Sequence, residues 1–552
     1  MIRLLPVPER RAFRAAVALS AAAVAALLLL APRTTLWDRD ESRFARSAVE
    51  MLSSGDFLVP TFAGELRPHK PPLLPWLMAF SANVLGPTPT AFRLWSALAH
   101  GASVLLTFVA GRRLAGEKAA LLGAAFLALS PLALLEGAAA TADAVLLAGL
   151  TGVLAVFADA AIGGVRARHF VLGALASAVA QLAKGPVALA LPLLGLGGAL
   201  LLAPTAFRER RSLAGLLAAT SVLGLLPVLC WGLLADAATN GRLLPAAIGT
   251  HVIGRTLAPM EGHGSGLLAG PLYYGVVLLA GFSPFTLFLP AAWARARSRG
   301  VLPAGARPIL LGSALAPFLL FAVVATKLPH YLLPAFPALA LLAAEAAESG
   351  ERRGLVAGGL LLAPAVVGAL AALGFVVAFP PLAALRAPAA AAIVAISAET
   401  VLATAFLRSG RSRLAALTLL SGTAAALAAT LWLGLPALEA WKPVPRLAAD
   451  ARRVVGEAPA STFRFEEPSV FVHFGPGPVE RLGTEADAAR WARRSGPGLL
   501  VTTRAGLERL VAHVGLLPLV PVAWRGGMNV SKGAPVELVA LARGGPWTKP
   551  PR

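Results

Sequence analysis

Three acidic residues stand within four positions near the start of the chain, and they are the first residues whose types and spacing could do chemistry. Asp38, Asp40 and Glu41 directly follow an apolar segment, and Lys70 comes later in the same hydrophilic loop. Carboxylates clustered beside a low-dielectric boundary raise one another's pKa, which suits one of them to act as a general base. A nearby lysine can neutralise a phosphate group. The same acids could instead cap the following helix and pair with its arginines, because helix N-termini attract acids.

Further polar side chains recur where apolar segments end. Asp143 stands in TADAVL, and Lys184 stands in AKGP, where a Gly-Pro pair interrupts an apolar stretch. A helix cap for Asp143 and an ammonium that reaches the lipid headgroups for Lys184 are the alternatives. TKLPHYLLP brings Lys327, His330 and Tyr331 together at the end of a segment. Three such groups at one span end favour a functional site.

Histidines and the single cysteine bear on whether a metal is bound. His251 and Arg255, in GTHVIGRTL, are one helical turn apart and could share a face, although a solvated loop helix would have the same spacing. His251 and His263 with an acid could ligate a divalent metal, but this spacing is weak support. Cys230 lies in an apolar run, which excludes a disulfide framework and a cysteine-built zinc site. Metal binding therefore stays open, and no other cofactor is indicated.

The elements that carry these residues are membrane-spanning by composition. Of 552 residues, 57% are hydrophobic and only 14% are charged, whereas a soluble chain has about 25% charged residues. The net charge of +21 is spread over short loops and does not form one soluble face, so it does not indicate a nucleic-acid partner. The sequence predicts an all-α polytopic membrane protein.

Thirteen apolar segments approach or exceed the length of about 20 residues that crosses a bilayer. They lie near 13–31, 91–111, 118–138, 142–162, 169–183, 186–204, 212–235, 267–292, 308–326, 329–347, 355–379, 388–407 and 412–434. Every second loop is rich in arginine, as cytoplasmic loops are, which predicts a cytoplasmic N-terminus and an external C-terminus. The first segment follows a basic stretch as a signal peptide would, but it lacks a convincing cleavage site and is interpreted as a helix.

A long loop, 33–90, lies outside the predicted spans. The apolar spacing of 42–53 predicts a helix on the membrane surface, ended by Gly55. Trp76 and its neighbours, after a proline-rich turn, suit a second interfacial helix. We expect this loop to belong with the transmembrane domain, residues 1–440.

The tail, residues 441–552, has a different composition from the rest of the chain. It holds many charges, strand-like runs at 469–474 and 498–503, and a helical pattern at 485–494. These features predict a small α/β domain outside the membrane.

The first loop resembles that of bacterial membrane glycosyltransferases related to aminoarabinose transferase and the protein O-mannosyltransferases, which have the GT-C fold. The resemblance rests on Asp40-Glu41, on the turn Gly55-Asp56-Phe57, on Lys70 of K-P-P and on Trp76. TADAVL, AKGP and KLPHYLLP resemble later family motifs in the family's order. The family commonly has an acid before the K-P-P lysine, where this chain has His69, so a metal-binding or acceptor-binding role of that acid does not carry over to this chain.

The resemblance implies that a sugar is transferred from a polyprenyl (undecaprenyl) phosphate carrier, with inversion, at the outer face of the bacterial inner membrane. Asp40 would be the general base, with Glu41 beside it, and Asp143 a second active-site acid. Lys70 would contact the donor phosphate, together with Lys184 or Lys327. The predicted residues of the substrate cavity are His69, Trp76, His251, Arg255, His330 and Tyr331.

The sugar stays open, and so does the acceptor, which could be lipid A, another glycan of the cell envelope or a protein. A polytopic transporter or a flippase for lipid-linked oligosaccharides is the strongest alternative. Such a protein would have ionisable residues near the bilayer midplane and often repeated halves, whereas the polar residues here gather at span ends. An oligosaccharide ligase that uses the same carrier, or a structural protein whose loop binds a partner, would also fit.

Overall fold

A computed structural model describes residues 7–254, 269–297, 302–350, 354–378, 380–475, 477–515, 518–529 and 531–543. The α-helices longer than one turn are α1 Val7–Leu30, α2 Asp40–Ser54, α3 Leu73–Leu85, α4 Pro89–Leu114, α5 Glu117–Leu129, α6 Pro131–Ala138, α7 Ala142–Gly163, α8 Ala167–Lys184, α9 Pro186–Leu202, α10 Arg210–Ala238, α11 Ala269–Gly281, α12 Leu289–Arg297, α13 Ala306–Val323, α14 Phe336–Ser349, α15 Leu355–Ala378, α16 Arg386–Arg408, α17 Ser412–Leu427, α18 Pro443–Val455, α19 Pro468–His473, α20 Glu485–Ala492 and α21 Arg504–Val514. The strands are β1 Thr61–Phe62, β2 Glu65–Leu66, β3 Ala460–Phe463, β4 Glu480–Leu482, β5 Gly498–Thr503, β6 Val520–Asn529 and β7 Ala534–Arg543.

Nine helices in the described part of the chain are long and apolar enough to cross a membrane: α1, α4, α7, α10, α13, Pro329–Ser349, α15, α16 and α17. Two bent pairs, α5 with α6 and α11 with Phe285–Ala296, would raise the number to eleven if each pair is one span. The chain is therefore a multi-pass membrane protein, as its composition predicts.

The other two predicted spans, 169–183 and 186–204, are also helices but do not meet this test of length and composition. Polar residues at both ends of α8 lower its hydropathy, and α9 is too short at 17 residues. Gly185 separates them with a backbone φ of +63°. The expected thirteen spans are thus nine to eleven by this test in the described residues, since α8 is not apolar enough and α9 is not long enough.

The chain divides into two compact units, and each is described by itself. The first unit comprises Met1–Ala31, Pro68–Leu74 and Arg93–Gly434. The second comprises Pro32–Arg67, Pro75–Phe92 and Leu435–Arg552, so most of the first loop clusters with the tail.

In the first unit, α7 and α8 are antiparallel neighbours that pack very closely. A Cβ atom built on Gly149 of α7 would lie only 2.7 Å from the Cβ atom of Ala180 in α8. Because no side chain separates the helices there, the start of α7 and the end of α8 meet. Asp143 and Lys184 stand at those two ends.

In the second unit, α2 and a five-stranded sheet are the main elements. The helix predicted over 42–53 is confirmed as α2, which ends at Gly55 in the left-handed conformation; its location on the membrane surface stays a prediction. Its apolar face is buried at Phe44 and Ala48, and its polar face is buried too, at Arg46 and Glu50. The helix is therefore held inside this unit on both faces.

The sheet has the order β4-β3-β5-β7-β6, with β3 parallel to β4 and β5, and with β7 antiparallel to β5 and β6. The predicted α/β tail is confirmed, and so are the strand at 498–503 and the helix at 485–494. The predicted strand at 469–474 is wrong, because this segment forms α19. Pro468 occupies the first turn of α19, a position that favours helix, and Val470 and Phe471 are buried on one face.

Candidate functional site

The centre of the first unit's polar region is an ion pair between Asp143 and Lys184. Lys184 donates a hydrogen bond from its ammonium to the Asp143 carboxylate. Thr141 is the N-cap of α7, but its side chain does not cap the helix; its hydroxyl donates to Glu136 at 2.6 Å. Asp143 therefore neutralises a lysine and is more than the helix-capping acid that the sequence also allowed.

His330 lies between two acids and joins a third segment to this pair. It belongs to the 3-10 helix Pro329–Ala335, whose first position is Pro329. Its Nε2 lies 3.9 Å from Asp143 Oδ2, and its Nδ1 lies 3.8 Å from Glu136 Oε1. Glu136, Asp143, Lys184 and His330 are called the Asp143 cluster below. Glu136 was not among the predicted site residues, although it is the acid nearest to Asp143 in the sequence.

Tyrosines line one side of the Asp143 cluster. The Lys184 ammonium lies 5.2 Å from the centre of the Tyr331 ring, and His330 meets that ring edge-on at 5.1 Å. Tyr273 and Tyr274 meet each other edge-on at 5.1 Å, and Tyr331 is within electrostatic range of both. The chain has three tyrosines, and all of them gather here. The sequence indicated only Tyr331, because YY inside an apolar run reads as core.

The K-P-P turn also reaches this cluster. Lys70 is half-buried and acts electrostatically on the Asp143 carboxylate. A Cβ atom built on Gly185 would lie 3.7 Å from Cγ of Pro71, so this turn packs against the break between α8 and α9. His69 is exposed beside Lys70. Two motifs that are more than a hundred residues apart in the sequence therefore meet in one unit.

The Lys327 ammonium contacts the C-terminal end of a helix. Its ammonium donates at 2.8, 2.9 and 2.6 Å to three backbone carbonyls at the end of α13, those of Phe321, Ala322 and Val324. Carbonyls at a helix C-terminus have no partner within the helix, and cations stabilise them. This contact favours a capping role for Lys327, and its predicted role in binding the donor phosphate stays a prediction.

The acids of the first loop lie in the second unit, where Asp40 is the first residue of α2. The Asp40 side chain is 43% exposed and lies 3.9 Å from Arg43. Arg67 is buried, its guanidinium lies 4.3 Å from the centre of the Phe44 ring, and burial lowers its pKa to about 10 although the charge of Asp40 acts in the opposite direction. Glu41 is buried and accepts a hydrogen bond at 2.7 Å from the backbone N–H of Trp37. This contact, from a carboxylate in the first turn of α2 to a backbone N–H just before the helix, is of the kind that helix-capping acids make.

Asp38 and Trp76 also have defined partners in the second unit. Asp38 accepts hydrogen bonds at 2.7 Å from both the backbone N–H and the hydroxyl of Ser469. Burial raises the pKa of Asp38 to about 6. Trp76, on α3, donates from its indole Nε1 to the carbonyl of Phe57 at 2.7 Å. This bond joins two motifs of the first loop.

The predicted pair of His251 and Arg255 lies largely outside the described residues. The backbone of His251 belongs to the π-helix Ala246–Gly254, and Arg255 and His263 lie outside the described residues. Among the residues that the structure describes, no group of three or more His, Cys, Asp or Glu side chains could hold a metal ion.

The Asp143 cluster and the residues beside it offer a ligand three kinds of contact in one place. Lys184 and the nearby Lys70 carry positive charge that can stabilise an anionic group such as a phosphate. The ring nitrogens of His330, between two carboxylates, can donate to or accept from a polar ligand group. Tyrosine hydroxyls and rings can contact a polar ligand with an apolar face, as a sugar has.

The model of one protein family matches the part of the chain that holds much of this cluster. It is described as dolichyl-phosphate-mannose-protein mannosyltransferase and covers residues 69–231. An undecaprenyl phosphate-alpha-4-amino-4-deoxy-L-arabinose arabinosyl transferase from Edwardsiella ictaluri is 33% identical over 57% of this chain and 56% of its own length. A second such transferase, from Sodalis glossinidius, is 30% identical over 61% of each chain. The match thus spans a little over half the length of these curated relatives.

A solved structure extends the likeness of fold to nearly the whole chain. ArnT from Cupriavidus metallidurans, in a crystal structure with bound undecaprenyl phosphate, superposes with a TM-score of 0.78 at 21% identity. The superposition covers 97% of this chain and 99% of that one. The predicted resemblance to these glycosyltransferases and the GT-C fold class are confirmed.

Proposed function

We propose that this chain, with the fold of ArnT and a match to the mannosyltransferase family model, is an integral membrane glycosyltransferase. Its donor is a sugar linked to a polyprenyl phosphate such as undecaprenyl phosphate. Its acceptor is lipid A, another envelope glycan or a protein. The enzyme acts in the bacterial inner membrane, with its N-terminus in the cytoplasm and its C-terminal domain outside.

The Asp143 cluster, in a chain of this fold, is the observation that carries the proposal. Lys184, His330 and Lys70 all act electrostatically on one buried carboxylate, so three basic side chains meet at this end of the membrane helices. Buried charges are costly and persist in membrane proteins mostly where function requires them. A phosphate on a lipid carrier is the ligand that such lysines at a span end would suit.

The proposed reaction is a direct displacement with inversion. Asp40 takes the proton from the acceptor nucleophile as its oxygen or nitrogen attacks the anomeric carbon. The bond from that carbon to the phosphate oxygen breaks, and the polyprenyl phosphate leaves with the electron pair. Lys70 and Lys184 stabilise the charge that gathers on this phosphate, and Asp143 orients Lys184. The assignments of Asp40 and Lys70 rest on the resemblance to the glycosyltransferase family.

A pair of transfer assays tests the proposal. The purified full-length protein in detergent is incubated with radiolabelled undecaprenyl-phosphate sugars and a membrane extract, and the transferred label is measured. We expect product from the wild type and none from Asp40→Asn, since that change removes the base. Glu466→Gln is the matched control, because Glu466 is an exposed carboxylate in the same unit.

The same protein in sealed vesicles separates the classes of function. Label that crosses the membrane without transfer would identify a transporter and overturn the proposal. Product formation with full turnover by a folded Asp40→Asn protein would overturn the assignment of the base, but it would leave the transferase activity in place.

A further inference from the structure

Three residues ahead of Asp40 attach its loop to the C-terminal part of the second unit. Asp38 accepts both hydrogen bonds that Ser469 can direct toward it, at 2.7 Å each. Lys442 donates at 2.9 Å to the backbone carbonyl of Thr35, and its ammonium lies 3.6 Å from the centre of the Trp37 ring. The residues two, three and five positions before Asp40 are thus fixed by residues about four hundred positions later.

A fourth attachment follows Asp40, on α2 itself. Arg46 is 4% exposed, and its guanidinium donates to three backbone carbonyls, those of Phe471, Gly475 and Gly477, at 3.1–3.3 Å. The same guanidinium donates from Nε to Glu50 at 2.7 Å. Glu50 in turn accepts hydrogen bonds from Thr61 and from the backbone of Ala63, in the β1–β2 hairpin.

These contacts place Asp40 between two anchors on one structural support. The anchors are Asp38, two residues before it, and Arg46, six residues after it, and both dock on the segment that begins with α19. Asp40 itself is half-exposed, so the position of its carboxylate depends on the backbone that carries it. Buried charges with several hydrogen bonds fix geometry more firmly than exposed pairs do.

We propose that the C-terminal α/β domain positions the base: Ser469, through Asp38, and the carbonyls of α19 and the following loop, through Arg46, hold the first turn of α2 in the reactive geometry. This inference rests on the proposed function, because it takes Asp40 as the base. Asp38, Arg46 and Ser469 are positioning residues, and they act on the reaction only through Asp40.

Kinetics of full-length variants in detergent test the proposal. We expect Asp38→Ala and Ser469→Ala each to lower kcat by about 10- to 100-fold with little change in KM for the donor, since small misplacements of a reacting group have effects of this size. The double variant should be no slower than either single variant, because both changes break one link. Asp38→Asn keeps an oxygen acceptor and gains an N–H donor for the Ser469 hydroxyl, so it should retain more of kcat than Asp38→Ala.

Thr484→Ala is the matched control for stability of the domain. The Thr484 hydroxyl caps α20 in the same domain, by accepting from the backbone of Asp487, and it is not part of the link to Asp38. We expect Thr484→Ala to destabilise the domain without lowering kcat. An equal loss of kcat in Thr484→Ala and Ser469→Ala would overturn the proposal, and so would wild-type kcat in both Asp38→Ala and Ser469→Ala.

Two further measurements separate this inference from the proposed function. Hydrogen–deuterium exchange at the amides of Ser42 and Arg43 should become faster in Ser469→Ala and stay unchanged in Thr484→Ala, whatever the substrate is. If Asp40→Asn is inactive while Ser469→Ala and Asp38→Ala turn over normally, only the positioning role fails. If Asp40→Asn turns over normally, Asp40 is not the base and the positioning role fails with it.

Discussion

Lys184 and Asp143 form an ion pair that joins the last residue of α8 to the first turn of α7, across 41 positions of sequence. The Asp143 side chain is 3% exposed and that of Lys184 is 11% exposed, so bulk water compensates neither charge. Loss of one partner leaves the other as a buried charge with less compensation, and breaking a buried pair costs up to about 3–5 kcal/mol. The pair is therefore expected to matter for folding as well as for catalysis.

We expect Lys184→Met to lower the thermal unfolding midpoint of the protein in detergent strongly, and Asp143→Asn/Lys184→Met to recover most of that loss. The double variant should remain inactive in sugar transfer, because the proposed phosphate contact is still missing. Recovery of both stability and transfer in the double variant would show that the pair is only structural.

Lys70 provides a test of donor binding. Its ammonium acts on Asp143 from the K-P-P turn, and loss of one electrostatic contact to a developing charge costs about 3 kcal/mol of transition-state stabilisation. Lys70→Ala should therefore lower kcat/KM for the polyprenyl-phosphate sugar by about 100-fold. Lys118→Ala, at an exposed lysine at the start of α5, is the control. Equal rates for the two variants would rule out the phosphate role of Lys70.

Much of this site was predictable from sequence because charge in an apolar chain is conspicuous. Asp143, Lys184 and His330 interrupt long apolar runs, and they meet in the structure. Tyr273 and Tyr274 could not be recognised in the same way, because aromatic residues within an apolar run resemble core residues. What brings them to Tyr331 is tertiary packing, which no local pattern encodes.

Lys327 illustrates a second limit. The sequence predicts its position at a span end. Its partners, however, depend on the end of α13 at Val323, because that end decides which backbone carbonyls lack a partner within the helix. Similarly, the strand-like run at 469–474 predicts a strand, yet Pro468 and the buried face of α19 favour a helix. Local patterns of six residues do not distinguish these outcomes when tertiary burial decides.

The capping contact of Lys327 predicts a change in stability more than in catalysis. Lys327→Met removes three hydrogen bonds from a charged donor to α13, and bonds of this kind contribute about 1.5–3 kcal/mol. The unfolding midpoint should fall while KM for the donor stays constant. A large rise in KM at unchanged stability would instead support the predicted phosphate contact.

Asp38 should make the stability of the second unit depend on pH. Burial raises the pKa of Asp38 from 3.8 to about 6; Glu467 adds to the rise, and Lys442 and the Ser469 hydrogen bonds oppose it. Between about pH 4 and pH 6 the folded state therefore holds a proton that the unfolded state releases. From Asp38 alone, the free energy of unfolding falls as pH rises through this window, by at most about 3 kcal/mol, and is constant above it.

His473 acts in the opposite direction in the same window, because burial lowers its pKa to about 4. The difference between the wild type and Asp38→Asn isolates the contribution of Asp38. Exchange of the buried amides of β5 and β7, corrected for intrinsic rates, should give a wild-type stability that declines relative to the variant from pH 4 to pH 6. A difference that is constant over this range would mean that Asp38 has an ordinary pKa.

Gly185 should be the position where a single methyl group disturbs the Asp143 cluster most. Its backbone has φ +63° and ψ −134°, a region that costs residues with a Cβ atom about 1–3 kcal/mol. Any relief of that strain rotates the peptide that follows Lys184 and shifts Pro71 of the K-P-P turn, which packs against this break. Gly185→Ala should therefore lower both the unfolding midpoint and kcat, whereas Gly198→Ala, in α9 with open space around its Cβ position, should change neither. If Gly185→Ala loses stability but keeps kcat, the break between α8 and α9 does not set the position of Lys184 for the reaction.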